Sequence, residues 1–218
     1  MNLTERLFHS LLDHYGPQGW WPADSTFGVM AGAILVQNTT WAQAARAVAA
    51  LDDHRLLSPK AICQTSPEFL GELIRSAGTY RIKSRRLKAL ASHVQTGGGL
   101  RKLRHQPTER LRAGLLAVDG IGPETADAIL LYAFDRPVFV ADAYARRILQ
   151  RIHADPCPPT AANYAHYRGR VEACDFGVAE LNEFHALLVE HGKRCCRARA
   201  LCGACVAVAG CRFTGSPD

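Results

Sequence analysis

Apolar residues recur at helical spacing along most of the chain, and no segment of similar length alternates in the manner of a strand. The segments with helical spacing are Leu3–Leu12, Gly28–Val36, Ala42–Leu51, Pro67–Ala77, Ser84–Val94, Thr108–Ala117 and Phe176–Val189. Two stretches rich in glycine or proline, Thr96–Gly99 and Pro156–Pro159, predict loops. The pattern therefore predicts an all-α protein.

Length and composition favour an ordinary globular protein. A chain of 218 residues with 48% hydrophobic content can bury a core without disulfides. Its longest apolar runs, such as Val29–Val36, are too short to span a bilayer, and the first residues lack the pattern of a signal peptide. We expect a cytoplasmic protein with no membrane contact.

The net charge of +6 is unevenly distributed. Nine basic residues and one acidic residue lie between Arg81 and Arg110, and five basic residues and no acidic one lie between Lys193 and Arg212. The remainder of the chain is net acidic. Two basic surfaces suit the backbone of a nucleic acid, although solvated helix faces would give the same pattern.

Five of the eight cysteines fall between Cys195 and Cys211. Such clustering in a cytoplasmic protein indicates a metal site before it indicates disulfides. Four thiolates suit either zinc or a 4Fe-4S cluster, and Cys196 could replace Cys195 as the first ligand. The four predicted ligands, with spacers of six, two and five residues, are Cys195, Cys202, Cys205 and Cys211.

A tight turn joins two helical segments at Gly120-Ile121-Gly122-Pro123. Both glycines permit backbone conformations barred to other residues, and proline suits the first turn of a helix. Successive N–H groups could then converge with the helix N-terminus on one anion, such as a DNA phosphate. An ordinary turn between helices is the alternative.

Asp142 follows the apolar run Val138–Ala141 and opens a segment with helical spacing that reaches Ile152. This position predicts an N-cap aspartate. A capping role alone would account for the residue.

Taken together, these motifs resemble the helix-hairpin-helix (HhH-GPD) superfamily of DNA glycosylases. The cysteine spacing, preceded by His191-Gly192-Lys193, is similar to the iron–sulfur loop of the endonuclease III family, and Leu115–Leu130 is similar to the helix-hairpin-helix. The resemblance implies a two-lobed all-α fold with a C-terminal 4Fe-4S loop. Residues 1–20 and 135–218 would form the lobe with the cluster, and residues 21–134 the central lobe with the hairpin.

The resemblance makes Asp142 the catalytic carboxylate. Bifunctional members of the superfamily place a Schiff-base lysine where this chain has Glu124. A glutamate cannot form an imine, so the departure implies a monofunctional enzyme that leaves an abasic site without AP lyase activity. Lys83 or another lysine could still act opportunistically.

The tryptophans resemble the base pocket of the 3-methyladenine DNA glycosylase III branch. The implied pocket residues are Trp20, Trp21, Pro22 and Trp41. Cationic alkylated purines stack well on indole rings, although burial in the core is the common fate of tryptophan. The implied substrate is double-stranded DNA with damaged bases of the 3-methyladenine type, and the implied enzyme is a nucleoid-associated monomer. A mismatch-specific uracil or thymine glycosylase and a non-catalytic binder of damaged DNA are the alternatives.

The resemblance also implies a set of residues that contact DNA. Gln37 would fill the gap left by the flipped base, and Thr79 stands where many members insert a larger apolar wedge. The full implied set is Gln37, Thr79, Gly120, Ile121, Gly122, Glu124, Thr125, Lys193 and Arg194.

Overall fold

The computed structural model describes residues 1–20, 25–155, 161–207 and 211–213. Its α-helices are α1 Leu3–Tyr15, α2 Thr26–Leu35, α3 Trp41–Asp53, α4 Pro59–Gln64, α5 Pro67–Leu73, α6 Tyr80–Thr96, α7 Gly99–Arg104, α8 Thr108–Leu116, α9 Pro123–Phe134, α10 Ala143–His153, α11 Ala161–Glu172 and α12 Val178–Arg194. Two 3₁₀ helices span Arg75–Ala77 and Cys202–Ala204. These described residues contain no strand, which confirms the predicted all-α class. Within them, no helix is both long and apolar enough to cross a bilayer.

The chain divides into two compact units, and one of them is the continuous segment Trp21–Arg136. Its centre is α2, which packs against α3, α6 and α9 and is buried from Phe27 to Leu35. A helix that is apolar on every side must be surrounded by protein, and α2 has that composition. Ser25 is the N-cap of this helix, since its hydroxyl accepts a hydrogen bond from the Gly28 N–H at 3.0 Å.

The other unit combines Met1–Trp20 with Pro137–Asp218. Within it, α12 packs against α1 and α10. The rings of Phe8, Phe176 and Phe184 lie 5.1 to 5.8 Å apart and form an aromatic core between α1 and α12. The helix α1 begins with a capping box, in which Asn2 and Glu5 each bond the backbone N–H of the other.

Three helices were not predicted from the sequence. The helices α4 and α7 have six residues each, too few to show a helical period. In α11 the apolar and polar residues are not separated onto two sides of the helix. The predicted loop at Thr96–Gly99 is shorter than expected, because α6 extends to Thr96 and α7 begins at Gly99. The predicted loop at Pro156–Pro159 lies outside the described residues.

Candidate active site and metal centre

The hairpin consists of α8, a short turn and α9, as the sequence predicts. Gly120 has a φ of 80°, which favours glycine, and a side chain there would overlap Arg86. Gly122 instead has a φ of −90° and is the N-cap of α9, so only the first of the two glycines needs its conformational freedom. Ile121 is 5% exposed, and its N–H donates to the Val118 carbonyl at 3.1 Å within the turn. Pro123 begins α9, as predicted.

Two side-chain contacts fix the hairpin. Arg112 on α8 donates two hydrogen bonds to the fully buried carboxylate of Asp127 on α9, at 2.6 and 3.1 Å. The amide nitrogen of Gln37 donates to the Gly120 carbonyl at 3.0 Å and to the Thr125 hydroxyl at 2.9 Å. Sequence reasoning assigned Gln37 only to DNA and missed this anchoring role, since its partners lie more than eighty residues away in the chain.

Gln37 is itself held by a basic residue. The Arg86 guanidinium donates to the Gln37 amide oxygen at 2.5 Å. The segment after α2, the helix α6 and the hairpin are therefore joined through one amide group. Glu124 is exposed in the first turn of α9, where the helix N-terminus favours an acidic side chain.

Lys83 is a buried cation on α6 with 1% exposure. Its ammonium donates to the carbonyls of Leu35 at 2.8 Å and Ala77 at 2.7 Å. Burial, with a smaller effect of Arg86, lowers the pKa of Lys83 to about 8. One charged group thus joins the end of α2 to the segment that precedes α6.

Thr79 lies at the N-cap of α6, next to the segment that Lys83 holds. It is exposed and has φ 40° and ψ 35°, a left-handed conformation that is strained for a β-branched residue. The structure thus presents the side chain of Thr79 on the surface. Its role as a DNA wedge stays a prediction.

The basic run Arg81–Arg110 does not form one exposed surface. Lys83 and Arg86 bind within the protein, and Lys88 donates to three carbonyls at the end of α4 and just after it. Six residues of the run are exposed: Arg81, Arg85, Arg101, Lys102, Arg104 and Arg110. One of these, Arg104, is paired with Asp135 at 2.9 Å. The surface available to a polyanion is therefore smaller than the sequence count indicates.

Asp142 is the N-cap of α10, as predicted. Its Oδ1 accepts a hydrogen bond from the Ala145 N–H at 2.7 Å, and its side chain is 15% exposed. The preceding residues Val138–Ala141 are buried, which fixes the backbone that leads into the cap. A carboxylate at a helix N-terminus lies where the backbone dipoles favour negative charge.

A histidine faces this carboxylate, and an aromatic ring packs against the histidine. The imidazole of His185 on α12 lies 3.7 Å from the carboxylate, measured from Nε2 to Oδ2, and its side chain is 7% exposed. The ring of Trp20 meets that imidazole edge-to-face at 5.6 Å, and Lys193 Nζ lies 5.7 Å from the Trp20 ring centroid. Sequence reasoning missed His185. The available signal was a polar residue at a buried position of α12, beside Phe184.

Of the other three predicted pocket residues, the structure describes only Trp41. Trp41 is the first residue of α3 and is partly exposed, with Thr40 as the N-cap. Trp21 and Pro22 lie outside the described residues.

A group of possible metal ligands lies at the end of α12. One ligand atom each from His191, Cys195 and Cys205 lie within 4.8 Å of one another. Burial raises the pKa of the Cys205 thiol to about 11 and lowers the pKa of His191 to about 4, so that His191 is neutral at physiological pH. His191 hydrogen-bonds to the Tyr15 hydroxyl through Nδ1 at 3.0 Å and faces Cys205 through Nε2 at 3.6 Å.

Two of the four predicted ligands, Cys202 and Cys211, are not part of this group of three ligand atoms. Cys202 begins a 3₁₀ turn, in which the Cys205 N–H donates to the Cys202 carbonyl at 3.1 Å. Burial raises the pKa of Cys211, and the charges of Cys205, Cys196 and Cys202 raise it further. The Cys196 sulfur accepts a hydrogen bond from Arg151 at 3.2 Å. Cys195 is buried and the other four cysteines are half-buried. Thiols that interact in this way form a donor set that fits a thiolate-ligated metal centre.

Exposed cations border the cysteines. Lys193, Arg194, Arg197 and Arg199 are all exposed. The Arg194 side chain is paired with Glu190 and lies over the Tyr15 ring, 5.5 Å from its centroid. The second basic run is therefore mostly on the surface, in contrast to the first.

A family profile and a sequence relative both match this chain to DNA repair proteins. The sequence profile of the HhH-GPD superfamily base excision DNA repair proteins matches residues 31–166. The protein MJ1434 of Methanocaldococcus jannaschii, named as a DNA repair glycosylase, is 41% identical over 204 residues, which cover 92% of this chain and 91% of the relative.

Solved structures match nearly the whole chain. The 3-methyladenine DNA glycosylase MagIII of H. pylori, bound to 1,N6-ethenoadenine, has a TM-score of 0.73 at 24% identity, over 89% of this chain and 98% of its own. A non-covalent endonuclease III–DNA complex has a TM-score of 0.78 at 19% identity, over 97% and 96% of the two chains. The values for a thermostable thymine-DNA glycosylase are the same. These likenesses concern the fold.

Proposed function

Because the chain belongs to the HhH-GPD superfamily and is a DNA repair glycosylase, we propose that it is a monofunctional enzyme that excises alkylated purines of the 3-methyladenine type. The observation that carries the proposal is the setting of Asp142, a carboxylate at a helix N-terminus that faces His185, against which the Trp20 ring packs. The products are the free base and an abasic site.

The chemistry assigned to Asp142 is electrostatic. Cleavage of an N-glycosidic bond leaves an oxocarbenium-like sugar, and a fixed anion stabilises that positive charge. The Ala145 N–H fixes one oxygen of the carboxylate, and the 15% exposure of the side chain leaves a path to substrate. The same carboxylate can orient the attacking water.

The aromatic residues support an alkylated purine as the substrate. A base alkylated at N3 or N7 is cationic and electron-poor, so it stacks on indole rings and is already a good leaving group. Trp20 lies beside His185, the neighbour of Asp142, and we assign stacking to Trp20, Trp21 and Trp41. The likeness to MagIII, whose structure holds an adenine adduct, supports the same class of substrate.

Two observations support the absence of AP lyase activity. Glu124 stands where bifunctional members have a lysine, and it cannot form an imine. The amine of Lys83 is buried and bound to two carbonyls, so it is not placed to attack a sugar.

We assign DNA backbone binding to the hairpin and to the exposed cations. The N-terminus of α9 follows Gly122 and suits a phosphate. Lys193 and Arg194 are exposed beside the cysteine group and suit a second phosphate. The likeness to endonuclease III bound to DNA supports this arrangement.

We assign a 4Fe-4S cluster to Cys195, Cys202, Cys205 and Cys211. Cys195 rather than Cys196 lies within the group that contains Cys205, which supports it as the first ligand. Four thiolates satisfy such a cluster, which would order the loop that presents the basic residues.

The decisive experiment identifies released bases by mass spectrometry. Purified protein is incubated with methylated DNA, with duplexes that carry uracil or thymine opposite guanine, and with undamaged DNA. Release of 3-methyladenine without strand cleavage is expected. Release of uracil or thymine alone would favour the mismatch glycosylase, for which the likeness to a thymine-DNA glycosylase is the supporting observation. Tight binding without release of any base would indicate a non-catalytic damage binder.

The variant D142N separates chemistry from capping. Asparagine caps a helix about as well as aspartate, so α10 keeps its cap while the negative charge is lost. D142N should bind lesion DNA and lose base release. The exposed Asp13 on α1 provides the matched control D13N, which should release bases at the wild-type rate. Undiminished release by D142N would contradict the assignment.

A further inference from the structure

A buried histidine stands beside the carboxylate that we assign to catalysis. His185 Nε2 lies 3.7 Å from Asp142 Oδ2, while the Ala145 N–H binds Oδ1 at 2.7 Å. The two oxygens of the carboxylate therefore face two different nitrogen atoms. The His185 separation exceeds the ~3.2 Å of a hydrogen bond, and hydrogen bonds in active sites commonly shorten when substrate binds.

Aromatic rings from two other segments fix the orientation of the imidazole. Trp20, after α1, meets it at 5.6 Å with an interplanar angle of 70°. Phe139, in the buried run before Asp142, meets it at 6.4 Å and 90°. Two rings packed edge-to-face against it leave the imidazole little freedom to turn.

Packing alone does not explain a histidine at this position. The surrounding residues of α12 that face the core are apolar, among them Phe184 and Leu188. A leucine at position 185 would bury apolar area without burying two ring nitrogens, and burial of polar atoms is costly. The imidazole instead faces the carboxylate.

We propose that His185 is a positioning residue that holds the second carboxylate oxygen of Asp142 and couples it to the Trp20 ring. The proposal rests on the proposed function, since Asp142 must perform the chemistry. A carboxylate fixed at one oxygen only can rotate about its terminal bond, whereas one fixed at both keeps a single orientation toward the sugar. Misplacement of a catalytic group by about 1 Å can reduce a rate by ~100-fold.

The test uses two substitutions of His185, one that removes the N–H group facing the carboxylate and one that keeps it. H185F keeps an aromatic ring of similar shape for Trp20 and Phe139 but removes both nitrogens. H185Q keeps an N–H near the position of Nε2. The exposed His9 on α1 provides the matched control H9F.

The measured quantities are the single-turnover rate of base release at saturating protein, the Kd for lesion DNA and the melting temperature. For H185F we expect a rate lower by about 10- to 100-fold with Kd and melting temperature close to wild type. H185Q should recover part of the lost rate, and H9F should match wild type. If H185F is poorly soluble, H185Q alone tests the proposal. The rate of base release by H185Q should lie below that of wild type and above that of D142N.

Three results would overturn the proposal: wild-type rates in both His185 variants, a loss confined to Kd, or an H185Q rate no higher than that of H185F. Wild-type rates in both variants alongside an inactive D142N would refute the role of His185 and leave the proposed function intact. Base release retained in D142N would refute the assignment of Asp142, and with it this proposal.

Discussion

Replacement of Lys83 by methionine tests whether a buried charge joins two segments of the unit Trp21–Arg136. The side chain is 1% exposed, and its ammonium donates to the carbonyls of Leu35 and Ala77. Methionine has a similar length and no charge, so K83M removes both hydrogen bonds without a large change in volume.

The size of the expected change in the free energy of unfolding follows from the pKa of Lys83. Burial lowers the pKa of Lys83 from 10.5 to about 8. Between these two values the unfolded chain binds more protons than the folded protein, so the contribution of Lys83 to stability rises with pH from about 8 to 10.5. At 1.36 kcal/mol per unit, the full change is about 3 kcal/mol. For a protein of this size that corresponds to about 6–12 °C in melting temperature.

The assay is the melting temperature of wild type and K83M at several pH values from 7 to 10.5. The difference between the two proteins cancels the titration of the groups they share. We expect the melting temperature of wild type to rise relative to that of K83M as the pH rises. The exposed Lys102→Met variant controls for loss of a surface charge. Parallel curves across this range would refute the reasoning.

K83M should also weaken binding of lesion DNA. The two carbonyls that Lys83 binds lie two residues before Gln37 and Thr79, the residues predicted to enter the DNA. Without the ammonium, both segments are less constrained. Lys88 is a matched control on the same helix, since it donates to carbonyls at the end of α4 and just after it. An unchanged Kd in K83M would separate Lys83 from DNA binding.

Three further substitutions, two of them with a matched control, test the hairpin and the cysteine group. G120A should lower stability by about 1–3 kcal/mol and weaken DNA binding, because Gly120 has a φ of 80° and no room for a side chain. G122A should stay within about 0.5 kcal/mol of wild type in the same melting assay, because its added methyl group meets no atom within 4 Å. Q37A should raise the Kd for undamaged DNA as well as lesion DNA, since it releases one hydrogen bond to the hairpin turn and one to α9; selective loss of lesion binding would contradict that view. C202S should lose visible absorption and solubility, whereas C63S, outside the group, should keep both, and a coloured, soluble C202S protein would argue against the ligand assignment.

Local features of the chain were predictable from sequence. The turn at Gly120 and the cap at Asp142 depend on the chemistry of a few adjacent residues, so their positions were predicted correctly. The long amphipathic helices were predicted for the same reason. Short helices such as α4 were missed because six residues show no period.

Contacts between distant segments were not predictable from sequence. Lys83 was counted with the basic run, yet its ammonium donates to the carbonyl of Leu35, which lies 48 residues away in the chain. Gln37 meets a hairpin turn 83 residues further along the chain. His185 lies on a helix whose apolar pattern gives no sign of the aspartate it meets. Each of these roles depends on which segments pack together, and a residue's type and neighbours do not specify that.

The burial of α2 has a consequence for how the sequence can change. Every residue from Phe27 to Leu35 is enclosed by protein, so tolerance to substitution should be low along the whole helix. In α1, by contrast, buried and exposed positions alternate with the helical turn, and tolerance should follow that period. Among the described helices of this unit, sequence drift should therefore be slowest in α2, and Gln37 lies two residues beyond its end.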